Sequence, residues 1–261
     1  GYRVFLNYRT QWNAVNSHYK TFAGTFDTKL FRKKKDGGYI GFGMNIVKDA
    51  AGAANFGLMQ FDMNVSGVLP IADNQTASAG INIGGGQYSV NMADLTWGNQ
   101  WNYWTLDPTL PSGESDALTS FVFYDVGAGA NYRYSNSNGK CVGDDKFEFD
   151  IGAAYYHVNK PDQFFITSTP QSLDSKLVVR FQMRKDVKHT TLGFVPFGQF
   201  VMQGPHQEIN GGLLMRFKLK DASKRTDIFA ENAFMIGVQY RNGAAIIPQF
   251  YLELRSWMLG F

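Results

Sequence analysis

The sequence has little of what stabilises many secreted domains or carries a chain through a membrane as a helix. Among its 261 residues Cys141 is the single cysteine, so the chain cannot form an internal disulfide. No run of about 18 apolar residues exists, which excludes a transmembrane helix. Charged residues make up only 18% of the chain, below the roughly 25% of soluble domains. A net charge of +3 is too small to favour nucleic acid as a partner.

Alternation of apolar and polar residues is the strongest positive pattern, and residues 119–134 show it most plainly. From Val122 onward every second residue is apolar or aromatic, and those between are mostly small, polar or charged. Such alternation predicts a strand with two different faces. Tyr124 and Tyr134 would then lie roughly 33 Å apart along the strand, or roughly 25 Å in height at a tilt of about 40°. That height matches the apolar band between the aromatic girdles of an outer-membrane barrel.

Similar alternation recurs through the whole chain, with turn-forming residues between the segments. We count roughly a dozen strands of the hairpin-connected kind that builds up-and-down barrels. We therefore predict an all-β fold, a transmembrane up-and-down antiparallel β-barrel that forms a single domain over residues 1–261. The expected number of strands is about 12–14. The number 14 follows if these barrels are even-numbered and strands are missing at both ends of the chain, which look truncated.

Two irregular segments are predicted to be long loops, at residues 85–118 and 159–174. The first contains three tryptophans, which argue against disorder, and it has room for one helical turn. Hairpins alternate between the two ends of a barrel, and this counting places both loops on the same side, which we expect to be extracellular.

A soluble β-sandwich would also alternate, but its apolar face would form a core. The polar face favours the barrel, because its charges can line a wet lumen. These charges are Asp27, Asp62, Asp125, Asp150, Arg180 and Arg216. Pro196 interrupts one strand and is expected at an edge or a bulge.

No catalytic, cofactor or metal site is predicted. The histidines His18, His157, His189 and His206 are scattered and show no metal-binding spacing. His157 with Ser135 or Ser137 could form a lipase-like pair, but a structural histidine is the simpler interpretation. The glycine runs at residues 84–86 and 127–129 lack a following helix, so neither is a dinucleotide loop. We interpret the first as a kink or bulge.

Six residues are candidates for binding a protein partner. Trp97, Trp101 and Trp104 would supply large anchors on an exposed loop, or alternatively pack as a lid over their own barrel. Arg9, Gln11 and Trp12 would fix a plug or a partner, with an interfacial aromatic belt as the alternative for Trp12. The basic residues 32–35 are better interpreted as a solvated hairpin tip than as a lipid-headgroup site.

Several short motifs, each weak alone, occur in an order and spacing that resemble one family across essentially the whole chain. They lie at residues 8–12 (YR-x-QW), 41–43 with 49–52, 80–88, 125–129 (DVGAG), 153–161, 192–216 and 237–241. This pattern resembles the PorP/SprF proteins, outer-membrane components of the type IX secretion system of Bacteroidota. The family's N-terminal Asn-Pro-Ala motif and its last strands are absent from this sequence.

The resemblance implies a non-enzymatic role in protein secretion and gliding motility at the outer membrane. It implies export or anchoring of secreted adhesins through their type B C-terminal domains, with periplasmic proteins and outer-membrane lipoproteins of the machinery as further partners. A general porin for small solutes is the alternative, although an open porin lumen needs about 16 strands.

Overall fold

The computed structural model describes residues 2–12, 19–31, 37–52, 56–90, 95–102, 104–113, 120–136, 146–164, 171–220, 232–254 and 257–260. Within these ranges the fold is all-β, apart from a short 3₁₀ turn at Gly98–Gln100. None of its helical segments has the length and apolar character needed to cross a membrane.

Most of the strands belong to one large antiparallel sheet. In chain order the strands are β1 (Tyr2–Gln11), β2 (Tyr19–Leu30), β3 (Tyr39–Ala51), β4 (Phe56–Ala72), β5 (Gln75–Ser89), β6 (Trp101–Asn102), β7 (Thr105–Leu106), β8 (Phe121–Ser135), β9 (Phe147–Tyr156), β10 (Asp162–Gln163), β11 (Gln171–Ser172), β12 (Lys176–Asp186), β13 (Leu192–Gln203), β14 (His206–Lys220), β15 (Asn232–Arg241), β16 (Ala245–Leu254) and β17 (Trp257–Gly260). Among the residues that the structure describes, the pairs β6–β7 and β10–β11 form two-stranded ribbons, and the other thirteen strands form the sheet.

Each strand of the large sheet pairs with its neighbours along the chain, so the predicted up-and-down topology is confirmed for this part of the fold. Among the described residues β1 pairs only with β2, and β17 only with β16. The sheet is therefore open at both edges, and a closed barrel with a definite number of strands stays a prediction.

The sheet exposes its apolar face and turns its polar face inward, which is the reverse of a sheet in a soluble protein. Large apolar side chains such as Tyr124, which is 77% exposed, cover the outer face. Asp125, the next residue, points the other way and is only 1% exposed. A β-sandwich would bury the apolar face, so this arrangement contradicts the sandwich alternative and agrees with strands that face lipid on one side.

Parts of the polar face are buried because the sheet curves over them. Among the described residues no second large sheet covers this face, yet Asp62, Asp125, Asp186 and Arg216 are all buried on it. Side chains meet across it: Arg216 on β14 lies opposite Met235 on β15 and reaches diagonally across that strand to Glu253 on β16. We call this side of the sheet the concave face.

The two longest connections leave the same end of the sheet, as predicted. One joins β5 to β8 and the other joins β9 to β12, and alternate strands point in opposite directions. We call this the long-loop end. The first connection starts later than residue 85, because β5 runs on to Ser89. Gly86 allows this pairing, since any side chain there would collide with the ring of Phe123.

Two local predictions about backbone irregularity were wrong. Residues 84–86 are not a kink or bulge, because they pair in unbroken register with both β4 and β8. Pro196 lies neither at an edge nor at a bulge, since β13 has β12 on one side and β14 on the other. The ladder to β12 instead skips the positions around Pro196 without changing register, as the missing N–H of proline allows.

Replacing an outer-face residue by arginine tests whether this face lies in lipid. We expect Ile81→Arg, in the middle of β5, to lower the free energy of unfolding from lipid vesicles by about 2–4 kcal/mol. Ile246→Arg, near the start of β16, should cost only about 0–1 kcal/mol because it lies near the interface. Urea titration followed by tryptophan fluorescence measures both. Equal small effects at the two exposed positions would show that water, not lipid, surrounds this face.

Candidate functional site

The concave face carries all the charged residues that the sequence assigned to a lumen. Hydrogen bonds and register place Asp27, Asp62, Asp125, Asp150, Arg180 and Arg216 on this one face. That part of the prediction is confirmed. Four groups of side chains divide the face: an acidic row, an aromatic cluster, a charged cluster and an apolar floor.

The acidic row crosses three neighbouring strands. Asp62 on β4 and Asp125 on β8 lie on either side of Gly84 on β5, in direct register. A Cβ at position 84 would collide with an Asp62 carboxylate oxygen, so glycine makes room for the acid. Gln60 donates from Nε2 to Asp62 Oδ1 at 3.1 Å. His157 Nδ1 lies 2.9 Å from Asp125 Oδ1 and faces the acidic row as its basic group.

A tight turn after β9 fixes His157 at this point. His157 has φ 56°, in the left-handed region that non-glycine residues seldom occupy. Asn159 then binds the backbone of β8 twice, donating to the Tyr124 carbonyl at 2.7 Å and accepting from the Val126 N–H at 3.1 Å. This clamp attaches the start of the second long connection to β8 and leaves the imidazole beside Asp125.

The lipase-like interpretation of His157 with Ser135 was wrong. Ser135 pairs with Glu148 at the far end of β8, whereas His157 lies at the long-loop end. The two side chains are therefore separated by most of the length of a strand. Ser137, His18 and Cys141 lie outside the described residues. Within the described ranges, no group of three or more His, Cys, Asp or Glu side chains could hold a metal ion.

The aromatic cluster fills the concave face at the long-loop end. Tyr88 lies at its centre, with ring centroids 5.3 Å from Phe121, 5.7 Å from Phe123 and 5.9 Å from Phe56. Phe164 of the second long connection meets Phe121 edge-on at 6.5 Å. These rings give the mouth of the concave face an apolar lining and connect the long loops to the sheet.

The charged cluster lies at the opposite end of the concave face. Asp186 accepts two hydrogen bonds from Arg184, at 3.1 and 3.0 Å, and pairs with Lys218 at 3.1 Å. All three side chains are buried or nearly so. Glu148 likewise pairs with Arg133 at 3.1 Å. These carboxylates are held as ions, because each has cations within hydrogen-bonding reach.

The apolar floor was missed by the sequence analysis. Val195, Leu214 and Met235 pack together on the concave face, with Phe197 and Tyr251 beside them. A signal was present, since apolar residues occupy both alternating sets of positions in β13, not only the outer one. The floor lines a cavity of about 500 Å³, and a second cavity of about 440 Å³ lies beside it along the face.

Sheet order brings the six predicted partner-binding residues to the long-loop end. Arg9 and Gln11 lie in the last part of β1, and Trp12 follows directly. Trp12 has φ 58° and meets Tyr19 edge-on at 5.3 Å. Trp97, Trp101 and Trp104 lie in the first long connection, at the 3₁₀ turn and the β6–β7 ribbon. Their role in binding stays a prediction.

The tryptophan segment has defined local structure. Trp104 is 91% exposed, and Trp101 is exposed beside it on the ribbon. The backbone N–H of Asp107 donates to the Gln100 carbonyl at 2.8 Å, which holds the ribbon against the 3₁₀ turn. The Asp107 carboxylate accepts hydrogen bonds from the Thr109 hydroxyl and N–H, and these bonds lower its pKa.

A glycine replacement tests the acidic row. We expect Gly84→Ala to destabilise the fold by about 1–3 kcal/mol, because its Cβ would also lie 2.6 Å from the Phe61 carbonyl oxygen. Gly67→Ala on neighbouring β4 is the matched control, since nothing lies within 4 Å of its Cβ. Denaturant unfolding of both variants gives the comparison. A Gly84→Ala variant as stable as Gly67→Ala would mean that Asp62 does not occupy this space.

The loss of stability on removing an acid distinguishes a buried ion pair, that of Asp186, from an exposed one, that of Asp27. Asp186→Ala leaves Arg184 and Lys218 without their shared carboxylate, and we expect a cost of about 3–5 kcal/mol. Asp27→Ala breaks the exposed pair with Arg3 and should cost about 0–1 kcal/mol. Thermal or denaturant unfolding measures both. Similar losses in the two variants would contradict the burial of the charged cluster.

Comparison with known protein families gives a match. The model of a family described as type IX secretion system membrane protein PorP/SprF matches residues 1–261. No curated protein and no solved structure matches the chain.

Proposed function

This chain belongs to the PorP/SprF family of type IX secretion system membrane proteins, and we propose that it is a non-enzymatic outer-membrane component that binds or anchors secreted cargo. The cargo class is a surface adhesin that carries a type B C-terminal domain. Other secretion and gliding proteins, including periplasmic proteins and outer-membrane lipoproteins, are further proposed partners. The proposed role needs no cofactor, and its setting is a cell of the Bacteroidota.

The inverted sheet supports an outer-membrane barrel formed by residues 1–261 as one domain. Antiparallel strands whose outer face is apolar cross a bilayer only when every sheet edge is paired. In the described part of the chain thirteen sheet strands follow in strict up-and-down order, so β1 and β17 run in the same direction. Closure by antiparallel pairs alone therefore needs one further strand between them, which agrees with the even count of 14.

Exposed aromatic side chains at the long-loop end are the observation that carries the binding role. Trp12, Trp101 and Trp104 are all exposed there, and two of them lie in the first long connection, beyond the sheet strands. Tryptophan is enriched among residues that dominate protein interfaces, because a large rigid ring buries much surface at little entropic cost. We propose that this end faces outward and meets the cargo.

A general porin is the second candidate, and the mixed charges on the concave face favour it. Against it, the charged cluster is internally paired, and both the aromatic cluster and the apolar floor lie on the same face. A diffusion pore would present open, water-lined charges instead. Single-channel conductance separates the two, since large stable openings of the purified protein favour the porin.

The export role is tested by the surface and secreted proteome of a strain that lacks the gene, compared with its parent. We expect one or a few large surface adhesins to disappear while other secreted proteins remain. An unchanged proteome with reduced uptake of small solutes would contradict the export role and favour the porin.

Complementation with variants tests the tryptophan surface in the same strain. A gene with Trp101→Ala and Trp104→Ala should display at least about tenfold less cargo, because losing a hot-spot residue costs about 2 kcal/mol or more. Phe31→Ala removes a comparably exposed ring at the opposite end and should restore full display. Equal display by both variants would exclude these tryptophans from the cargo interface.

A further inference from the structure

The outer face of the described sheet carries few charged side chains, and all of them are basic. On the described sheet strands they are Lys20, Lys48 and Lys185. Lys20 and Lys48 are exposed and lie at the long-loop end, on the neighbouring strands β2 and β3. Lys185 lies at the opposite end, and its Nζ is 5.7 Å from the centre of the Phe147 ring. The outer face is therefore cationic at one place near the long-loop end.

The two lysines at that end are close to each other and turned away from the nearest acid. Lys20 pairs in register with Ala50, which is two residues from Lys48, so the lysines are diagonal neighbours about 7–8 Å apart. Asp49 points to the concave face and accepts a hydrogen bond from the Thr21 hydroxyl at 2.6 Å. Within the described residues neither lysine forms an ion pair. Because lysine is a compact charge on a flexible stem, both ammonium groups can reach one phosphate group.

An apolar cavity on the outer face begins next to these lysines. Phe61 lines the cavity and pairs with Ile46, and Lys48 is the next outer-face residue of β3 toward the long-loop end. The cavity has a volume of about 500 Å³, and its walls are apolar and aromatic side chains of β3, β4, β5 and β8. From Phe61 to Val65 it runs roughly 13 Å along β4, about half of an apolar band about 25 Å tall. The cavity thus extends from the lysines through about one leaflet.

The charges and the cavity together specify what binds there. A second copy of this chain fits poorly, because the described outer face carries no acid to pair with the lysines. A soluble anion would bind the lysines and leave the cavity unused. A lipid without net charge would fill the cavity and leave the lysines without a counter-ion. A lipid with an anionic phosphate headgroup satisfies both parts.

We propose that Lys20, Lys48 and the adjoining cavity form a binding site for an anionic, phosphate-bearing lipid of the leaflet at the long-loop end. The phosphate lies between the two ammonium groups, and one acyl chain lies in the cavity. The bound lipid fixes the height of β2 and β3 in the membrane. This inference rests on the part of the proposed function that places the sheet in a membrane, and it does not depend on the cargo role.

Native mass spectrometry of the full chain, purified in a nonionic detergent, tests the site. The probes are dimyristoylphosphatidic acid, dimyristoylphosphatidylcholine with the same acyl chains but no net charge, and inorganic phosphate. We expect one molecule of phosphatidic acid to bind at least about tenfold more tightly than phosphatidylcholine, because each lysine near a lipid headgroup attracts its negative charge. Inorganic phosphate at equal concentration should not displace the phosphatidic acid, since it has no chain for the cavity.

Lysine replacements test the headgroup part of the site. The double variant Lys20→Gln, Lys48→Gln should bind the two lipids about equally, because it removes both positive charges. Lys185→Gln is the matched control, an outer-face lysine at the opposite end, and should keep the preference for phosphatidic acid. Heat-modifiable migration in gels confirms that each variant folds.

Filling the cavity tests the acyl-chain part. Ile83→Trp adds bulk to the cavity wall and should weaken the binding of phosphatidic acid at least about fourfold, the factor for losing the burial of one methylene group. Ile236→Trp is the matched control on β15. The two isoleucines are 56% and 51% exposed, and position 236 lies outside the cavity. The control should bind phosphatidic acid as tightly as the unmodified chain.

Several results would overturn the lipid site. They are equal affinity for the two lipids, displacement of phosphatidic acid by inorganic phosphate, a dimer in place of the lipid adduct, or equal effects of a variant and its matched control. Loss of cargo in the deletion strain without a preference for phosphatidic acid would reject the lipid site and keep the export role. An unchanged proteome with a lysine-dependent preference would reject the export role and keep the lipid site.

Discussion

The interstrand hydrogen-bond ladder, with its two inverted faces, is the constraint on which the rest of the structure depends. A lipid bilayer offers no partner to a backbone N–H or C=O group, so a sheet in it must satisfy these groups through neighbouring strands. The outer side chains are then free to be apolar, as Tyr124 is. The inner ones, such as Asp125, must find polar partners within the protein.

Burial of the polar face explains where glycine and charge occur together. An acid on the concave face needs space beside it, and the neighbouring strand supplies a glycine in direct register. This holds for Asp27 with Gly43, Asp62 with Gly84 and Asp186 with Gly193. Acids in curved sheets thus depend on adjacent strands as much as on their own counter-ions. The aromatic cluster and the apolar floor are exceptions to this pairing of acid and glycine, because apolar side chains occupy the concave face there. At these two places the concave face packs apolar groups or binds them.

The sequence could predict whatever depends on alternation along one strand. Strand identity, the facing of Asp62 and Arg216, and the common end of the two long loops all follow from a period of two and from hairpin counting. It could not predict what depends on register between distant strands. His157 meets Asp125 because an unusual turn follows β9, and Arg216 meets Glu253 diagonally across the intervening strand β15. The apolar floor around Val195 was not predicted from the sequence, because both faces of β13 are apolar and the alternation of apolar and polar residues is therefore hidden.

The central claim is that the sheet lies in a bilayer with its apolar face outward. A spin-label scan through the middle of β8 tests this claim most directly. In a Cys141→Ser background, single cysteines at positions 123–128 would carry a nitroxide in protein reconstituted into vesicles. The account predicts high oxygen accessibility at positions 124, 126 and 128, and low accessibility at 123, 125 and 127. Accessibility without a two-residue period, or with water-soluble nickel reaching the outer positions best, would contradict it.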